Sequence, residues 1–333
     1  MPMTNLIDGV SRIQIPTPFP VGSMNCYLIE GSPLTLIDTG PKTHESLAAI
    51  QKEFDNLSYR MSDVEQILLT HSHIDHIGQA AQFVRERASK HHNPVEVWIH
   101  HKDANALINY EEHAEAYMES FARLISTSGV PMNEAQKLDP KRLIDYYMSL
   151  RESVPTAQTF NDKATFETGI GEITADWVPG HSSGSVCYVC DERKVIFSGD
   201  HILGDISSNP SISFASSEEI GMLTYLESLN RISAKADHIA LPGHRDPIPD
   251  IASRIEALRD EYNDKFRRTA ESLTSNPQTV YEISRIIYGD YSTSSLVLAL
   301  AESHDLLRIL EARNQAKLIR KNGVIYAVMA PMT

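Results

Sequence analysis

The chain of 333 residues is long enough for two domains, or for one large domain that carries an insertion. With 41 % hydrophobic and 22 % charged residues it has the composition of a globular enzyme, which excludes an intrinsically disordered chain. The net charge of -14 makes the average surface repel phosphate backbones and anionic membranes, so a nucleic-acid partner would need a local basic patch.

Neither a membrane segment nor a signal peptide is visible. No apolar run approaches the roughly 18 residues that cross a bilayer, and the opening MPMTNLIDGV lacks the charged and apolar regions of a secretory signal. We therefore expect a cytoplasmic protein without a membrane partner. Cys187 and Cys190 in the strand-like run SVCYVC should point to opposite faces of a strand, as reduced thiols rather than a disulfide framework.

Strand-like and helix-like segments alternate up to about Asp250. The strands MNCYLIE and LTLIDTG are followed by a helix in HESLAAIQKEF, and the strand VEQILLT runs directly into HSHIDH. A helix in GQAAQFVRERASK and the strand VEVWIH come next. After an interruption, the strands EITADWVPGH, SVCYVC and KVIFSGD precede a helix in EEIGMLTYLESLNRIS and the strand HIALPGH. This alternation predicts a layered α/β domain.

The interruption, residues 103–155, is polar and helical. It contains ANALINYEEHAEAYMESFARLIS and PKRLIDYYMSLRE, which predict a helical insertion. Four tyrosines in it either line a substrate pocket as an aromatic lid or simply pack against their own helices: Tyr110, Tyr117, Tyr146 and Tyr147.

The tail after Asp250 has a different pattern. Helices in IEALRDEYNDKFRRTAESL, QTVYEISRIIYG and SSLVLALAESHDLLRILEARN precede a hairpin, LIRKNGVIYAVM, around Asn322-Gly323. Helices followed by a terminal hairpin are typical of a winged-helix module. The tail is locally basic, as RNA binding requires, but interleaved acidic residues favour a solvated face; the basic residues are Arg267, Arg268, Arg285, Arg320 and Lys321.

Candidate metal ligands cluster where the third predicted strand ends. Within TH71-S-H73-I-D75-H76, four side chains of ligand type fall in six residues, and a turn there can aim them into one pocket. Three more follow glycines at predicted strand ends: His181 in VPGH, Asp200 in FSGD and His244 in LPGH. Imidazole and carboxylate suit zinc, and also iron or manganese.

Other histidines lack this context. His201 follows Asp200 directly, so its side chain should point the other way and could at most support the ligands. Four further histidines form a loose cluster without strand-end glycines, and we expect them to be solvated or to have a supporting role: His91, His92, His100 and His101.

With these motifs the sequence resembles the metallo-β-lactamase superfamily, particularly its glyoxalase II-like branch, over about residues 12 to 250. The resemblance implies a four-layer αββα sandwich in a catalytic domain of residues 1–250, with the helical insertion at 103–155, and a winged-helix-like domain at 251–333. That tail is similar to the tail of a lactamase-like subgroup that includes a mitochondrial endoribonuclease. The insertion departs from compact members of the family, so their substrates do not transfer to this chain.

The resemblance also implies two divalent metal ions, with zinc first and iron or manganese as alternatives. His71, His73 and His181 would hold the first ion, Asp75, His76 and His244 the second, and Asp200 would bridge both. Asp38 in LIDTG matches a family position that supports the ligands.

Two cations that share a water present hydroxide at neutral pH, and Asp75 could orient it or carry a proton. We therefore expect a hydrolase of a small ester, thioester or lactone. The alternatives are a phosphodiesterase or ribonuclease whose tail holds a strand, and a non-catalytic sensor that binds its ligand at the metal centre. The tail could also supply a homodimer contact.

Overall fold

The computed structural model of the chain describes residues 5–136, 140–210, 220–291 and 295–331. Two mixed sheets lie face to face at its centre. The first sheet has antiparallel pairing from β1 to β4 and parallel pairing from β4 to β7. In sheet order its strands are β1 (Asn5–Ile7), β2 (Val10–Ile15), β3 (Met24–Ile29), β4 (Thr35–Ile37), β5 (Gln66–Leu68), β6 (Glu96–His100) and β7 (Gln158–Phe160).

The second sheet is antiparallel except where β11 pairs with β12. In sheet order its strands are β12 (Ile239–Pro242), β11 (Val195–Gly199), β10 (Val186–Cys190), β9 (Gly171–Trp177) and β8 (Thr165–Thr168). The helices in the first 250 residues are α1 (His44–Asn56), α2 (Ile74–Ile77), α3 (Ala80–Lys90), α4 (Asn105–Ile108), α5 (Tyr110–Thr127), α6 (Met132–Ala135), α7 (Pro140–Ser149) and α8 (Gly221–Ile232), with 3-10 turns at Met61–Asp63 and Ser233–Lys235.

Three apolar cores separate the layers. Tyr27 and Leu68 of the first sheet meet Tyr188 and Phe197 of the second in the core between the sheets. Because side chains alternate along a strand, the neighbours of these residues face outward and pack under helices. On the first sheet these helices are α1 and α3, and on the second sheet α8 lies beside the tail. The predicted α/β architecture of helices, sheet, sheet and helices is therefore confirmed.

The tail contains α9 (Ile251–Ser272), β13 (Gln278–Thr279), α10 (Val280–Tyr288), α11 (Leu296–Ala312), β14 (Ala316–Lys321) and β15 (Val324–Met329). Strands β14 and β15 form the predicted hairpin, in which Lys321 faces Val324 across the turn, and β13 pairs with the outer side of β15. The tail helices share one core with α8 and with Phe121 and Leu124 of α5. The long insertion helix thus packs on the tail.

Five strands are absent from the sequence prediction: β1, β2, β7, β8 and β13. Strand β7 is a three-residue edge strand with only one buried side chain, so it carries no apolar run. Cys187 and Cys190 are buried, reduced and on opposite faces of β10, as expected. None of the described helices is long and apolar enough to cross a membrane.

Candidate metal centre

The candidate centre lies at the carboxyl ends of strands from both sheets. The segment from His71 to His76 follows β5, Asp200 follows β11, and His244 follows β12. The two sheets are joined at this edge, because the Asn25 amide at the start of β3 donates to the Gly243 carbonyl at 2.6 Å. Side chains that are far apart in sequence are thereby brought to one cleft.

Three histidines form the first group. His71, His73 and His181 offer ligand atoms that all lie within 4.8 Å of one another. Nε2 of His71 is 3.1 Å from Nδ1 of His73, and the rings of His71 and His181 are 4.8 Å apart. Three imidazoles whose nitrogens converge in this way are typical of the protein ligands of a catalytic zinc site.

The second group combines Asp75, His76 and His244 within the same 4.8 Å limit. Oδ2 of Asp75 is 3.3 Å from Nε2 of His244. Asp200 lies between the groups, with Oδ1 3.4 Å from Nε2 of His76, and Oδ2 3.5 Å from Nε2 of His181 and 3.6 Å from Nε2 of His244. The structure thus brings together all seven side chains that the sequence predicts as ligands.

Asp38 fixes the orientation of the ligand histidines from behind. Its Oδ2 accepts hydrogen bonds from Nδ1 of His76 at 2.8 Å and from the Thr70 hydroxyl at 2.7 Å, and its Oδ1 accepts from the Thr70 amide at 2.8 Å. The Thr70 hydroxyl also lies 3.0 Å from Nδ1 of His71. The remaining nitrogen, Nε2, of each ring is therefore turned toward the cleft.

The two distant histidines are held in the same manner. Nδ1 of His181 lies 3.0 Å from the Ser208 hydroxyl, and Nδ1 of His244 donates to the Ser23 carbonyl at 3.0 Å. Sequence reasoning missed Ser23 and Ser208 because serines in loops have no ligand-like spacing.

The donor set fits a metal. Among the described residues, the buried Nε2 atoms of His76 and His244 and Oδ1 of Asp200 make no hydrogen bond, although each lies inside the cluster. Buried polar atoms without partners are costly, and they are rare unless they serve a ligand. These atoms are imidazole nitrogens and a carboxylate oxygen, a combination of donors that zinc, iron and manganese accept.

The protonation of the histidines favours metal binding in the first group. Burial, followed by the neighbouring imidazoles, lowers the pKa of His71, and the same two causes bring the pKa of His181 to about 3. Burial also lowers the pKa of His73, against the opposing effect of Asp75. Neutral imidazole is the form that binds metal, so these three rings need not lose a proton at neutral pH.

In the second group the carboxylates dominate. Burial alone would lower the pKa of His76, but Asp200 and Asp38 outweigh it and raise that pKa. Burial would raise the pKa of Asp200, but His244 and His76 hold it well below its usual range. This shift favours the ionised form of Asp200 at neutral pH.

The close packing of the centre requires glycine at position 243. A Cβ there would lie 2.6 Å from Oδ1 of Asp200 and 2.6 Å from Cε1 of His76. A glycine before a predicted ligand thus lets neighbouring side chains pack directly against the backbone.

Asp103 is a buried residue of the site that the sequence prediction missed. Its Oδ2 accepts from the Ser72 amide at 2.9 Å and from the Ser182 hydroxyl at 2.7 Å, and its Oδ1 accepts from the Gly184 amide at 2.7 Å. It ties the loop of His71 to the loop of His181. Its position directly after β6, at the same sheet edge, is the signal that could have found it.

The other histidines lie outside the cluster. The His201 ring packs on Tyr225 at 5.1 Å in the core beside α8, and burial lowers its pKa to about 3. His100 is buried and stacked on Trp177 at 5.5 Å, so the expectation that it is solvated is wrong. His91, His92 and His101 are exposed.

A comparison with protein families matches residues 20–244 to the metallo-beta-lactamase superfamily. The matched stretch contains all seven clustered side chains and the whole insertion. The amino-terminal strands and the tail lie outside it.

Two solved structures are similar over nearly the whole chain. A metallo-beta-lactamase family protein from Thermus thermophilus has a TM-score of 0.81 at 23 % identity, covering 97 % of this chain and 99 % of that protein. A beta-lactamase domain protein from Burkholderia ambifaria has a TM-score of 0.79 at 21 % identity, covering 98 % and 94 %. Because both identities are low, these two similarities show a shared fold only. The shared fold extends over the tail.

Among curated proteins, the chain is 26 % identical over 329 residues to the probable metallo-hydrolase YqjP of Bacillus subtilis, covering 96 % of this chain and 97 % of that protein. It is also 27 % identical over 138 residues to an atrochrysone carboxyl ACP thioesterase of Emericella nidulans. That alignment covers 40 % of this chain and 41 % of the thioesterase, so it concerns less than half of either protein.

Proposed function

The chain belongs to the metallo-β-lactamase superfamily and is a metal-dependent hydrolase, and on that premise we propose that it uses two metal ions to cleave a small thioester, ester or lactone. The observation that carries the proposal is the convergence of two three-residue groups of ligand atoms on either side of Asp200. Zinc is the metal we propose first, because imidazole nitrogens predominate among the donors.

In the proposed centre, each of the two ligand groups binds one metal ion. His71, His73 and His181 would hold one ion, Asp75, His76 and His244 would hold the other, and Asp200 would be shared between them. When bound, the two cations would lower the pKa of a shared water and polarise the substrate carbonyl. This arrangement makes a serine or cysteine nucleophile unnecessary.

Asp75 has a second proposed role as proton carrier. Its side chain is 12 % exposed, more than that of His76 or His244, and it lies at the open side of the second group. Burial would raise its pKa, but the close approach of the His244 ring, 3.3 Å between Nε2 and Oδ2 of Asp75, outweighs burial and lowers it. An ionised, partly accessible carboxylate beside the cleft can orient a water and pass its proton to the leaving group.

The preference for a thioester comes from the partial similarity to the thioesterase named above. Within the superfamily, the H-x-H-x-D-H motif supports a place near the glyoxalase II-like branch. The helix and strand order of the tail supports a winged-helix-like unit.

A small molecule is favoured over nucleic acid as the substrate. In the tail, Arg267 forms ion pairs with Asp264 and Glu271, Arg268 lies 4.0 Å from Asp264, and Arg285 pairs with Asp290. Cations neutralised by neighbouring carboxylates contribute little to phosphate binding. We expect single-stranded RNA to bind weakly if at all at low salt, as measured by fluorescence anisotropy.

The test is hydrolysis by zinc-loaded protein of p-nitrophenyl esters, N-acetylcysteamine thioesters and acyl-homoserine lactones. At least one class should turn over, and His181→Ala should lower that rate at least about 100-fold by removing a ligand of the first group. His92→Ala, which removes an exposed histidine outside the cluster, should leave the rate unchanged. Turnover of no class, or equal rates in the two variants, would contradict the proposal.

A further inference from the structure

Arg151 is a buried cation at the end of the helical insertion. The residue is 7 % exposed, and among the described residues it forms no ion pair with a carboxylate. Its Nε is buried without a hydrogen-bond partner in the described part of the chain. In a protein of net charge -14, a buried arginine that pairs with no carboxylate of the described segments requires an explanation.

The residues on both sides of Arg151 are held by contacts with Lys42, Arg85 and Gly78. The Leu150 carbonyl accepts from the Lys42 amide at 2.7 Å and lies 2.5 Å from where a Cβ on Gly78 would be. Glu152 pairs with Lys42 at 2.5 Å and also with Arg85. Gly78 is two residues beyond His76, so the segment that carries Arg151 packs directly behind the ligand loop.

The Arg151 guanidinium stacks on the ring of Tyr110, with 3.9 Å between Cζ and the ring centroid. The Tyr110 hydroxyl donates to the Tyr147 carbonyl at 3.3 Å, and the Tyr147 ring stacks on Phe19 at 6.2 Å. Tyr110, Tyr147 and Phe19 thus form one aromatic cluster beside Arg151. The pKa of Tyr147 is raised by burial first, and then by Tyr146 and Asp75.

Arg151 also acts electrostatically on His113. The pKa of His113 is lowered to about 4 by burial first and by Arg151 second; Asp103 opposes this shift and His73 adds to it. Nδ1 of His113 is also buried and, among the described residues, without a hydrogen-bond partner.

A buried guanidinium without a carboxylate partner is unfavourable, since contact with the Tyr110 side chain recovers only part of its lost hydration. Its planar fork of N–H donors matches a carboxylate or a phosphate. We propose that Arg151 binds an anionic group, a carboxylate or a phosphate, of the substrate whose acyl bond lies at the metal centre. This inference rests on the proposed hydrolase function and further specifies that the substrate is negatively charged.

The test compares three thioesters of similar size on the zinc-loaded protein, with release of free thiol as the readout. Hexanoyl-pantetheine is neutral, adipoyl-pantetheine carries a carboxylate on the acyl side, and hexanoyl-4′-phosphopantetheine carries a phosphate on the thiol side. We expect one anionic thioester to exceed the neutral one about 10- to 100-fold in kcat/KM. The one preferred identifies the anion and the side on which Arg151 binds.

Arg151→Met should abolish this preference, to within about twofold, while turnover of the neutral thioester continues. Arg123→Met is the matched control, because it removes the same charge from an exposed position of the same insertion. A second readout is the melting temperature. Removal of an unpaired buried charge should leave it unchanged or raise it, whereas loss of a structural contact with Tyr110 would lower it.

Binding distinguishes failure of this inference from failure of the proposed function. Adipate and inorganic phosphate are titrated calorimetrically into metal-free wild type, Arg151→Met and Arg123→Met. We expect at least one anion to bind the wild type and Arg123→Met, and to bind Arg151→Met at least about tenfold more weakly. Equal binding by all three, no binding by the wild type, or equal turnover of neutral and anionic thioesters would overturn the role of Arg151. Absence of turnover with Arg151-dependent binding would instead overturn the hydrolase proposal.

Discussion

Substitution of Asp38 by asparagine should separate the stability of the fold from the affinity of the metal centre. Asp38 is buried and has a φ of 58°, a left-handed conformation that asparagine tolerates, so the backbone should be retained. The substitution exchanges one carboxylate oxygen for an amide donor while the side chain keeps its shape.

The magnitude follows from the three donors that the Asp38 carboxylate accepts: the Thr70 amide, the Thr70 hydroxyl and Nδ1 of His76. If the amide nitrogen of asparagine replaces Oδ2, it faces the hydroxyl and His76. The hydroxyl oxygen, which lies 3.0 Å from Nδ1 of His71, can accept from that amide, but the N–H of His76 loses its acceptor. An unpaired buried donor costs about 1–3 kcal/mol, and loss of a charged acceptor adds to this. We expect about 2–4 kcal/mol of destabilisation in the metal-free protein.

His76 can avoid part of this cost by moving its proton to Nε2, but Nε2 is the nitrogen that faces Asp200. A proton on Nε2 prevents that nitrogen from binding metal. Metal binding in the second group should therefore weaken about 10- to 100-fold, as is usual when the hydrogen-bond partner of a ligand histidine is removed. The first group, whose histidines do not contact Asp38 directly, should retain its affinity.

Urea unfolding of the metal-free protein measures the stability, and competition with a chromophoric zinc chelator measures the two affinities. Asp191→Asn is the control, since Asp191 also accepts from a histidine, at 2.9 Å from Nε2 of His238, but its side chain is 63 % exposed. That change should cost less than about 1 kcal/mol and leave zinc binding unaltered. Wild-type stability together with wild-type affinities in Asp38→Asn would refute the reasoning.

Three further substitutions probe other parts of the account. Gly243→Ala should lower zinc content and kcat at least about tenfold while the fold is retained, because the added Cβ would press on Asp200 and His76. In the control Gly204→Ala the added Cβ would have no neighbour nearer than 3.7 Å, so zinc content and kcat should stay unchanged. Asp103→Asn should lower the free energy of unfolding by about 2–4 kcal/mol and lower kcat, since three buried donors share its carboxylate; unchanged unfolding in urea would count against this. Thr279→Ala removes the capping box with Glu282 and should cost about 1 kcal/mol in urea unfolding without change in kcat.

Much of the metal centre could be predicted because its ligands obey local rules. A buried strand that ends in H-x-H-x-D-H, and three strand ends with glycine before a ligand, are recognisable without knowledge of the fold. The supporting residues could not be found in this way. Ser208 reaches His181 and Ser23 reaches His244 from positions 27 and 221 residues away, and only the folded sheets define those contacts.

The missed strands show the same limit on a smaller scale. Strand β8 alternates exposed and buried residues, a pattern of period two, but it has only four residues and lies at the edge of its sheet. The helical insertion was recognised from its periodicity. Its contribution to the cleft, Arg151 beneath Tyr110, depends on tertiary anchoring at Lys42 and Gly78 that periodicity does not encode.

The number of metal ions per chain tests the central claim most directly. Zinc-reconstituted protein is analysed by inductively coupled plasma mass spectrometry beside the double variant Asp75→Ala, His76→Ala. The control His91→Ala, His92→Ala removes two exposed histidines outside the cluster. The account predicts about two ions per chain in the wild type and the control, and one or fewer in the Asp75 and His76 variant. Negligible metal in the reconstituted wild type, or equal metal content in all three proteins, would contradict it.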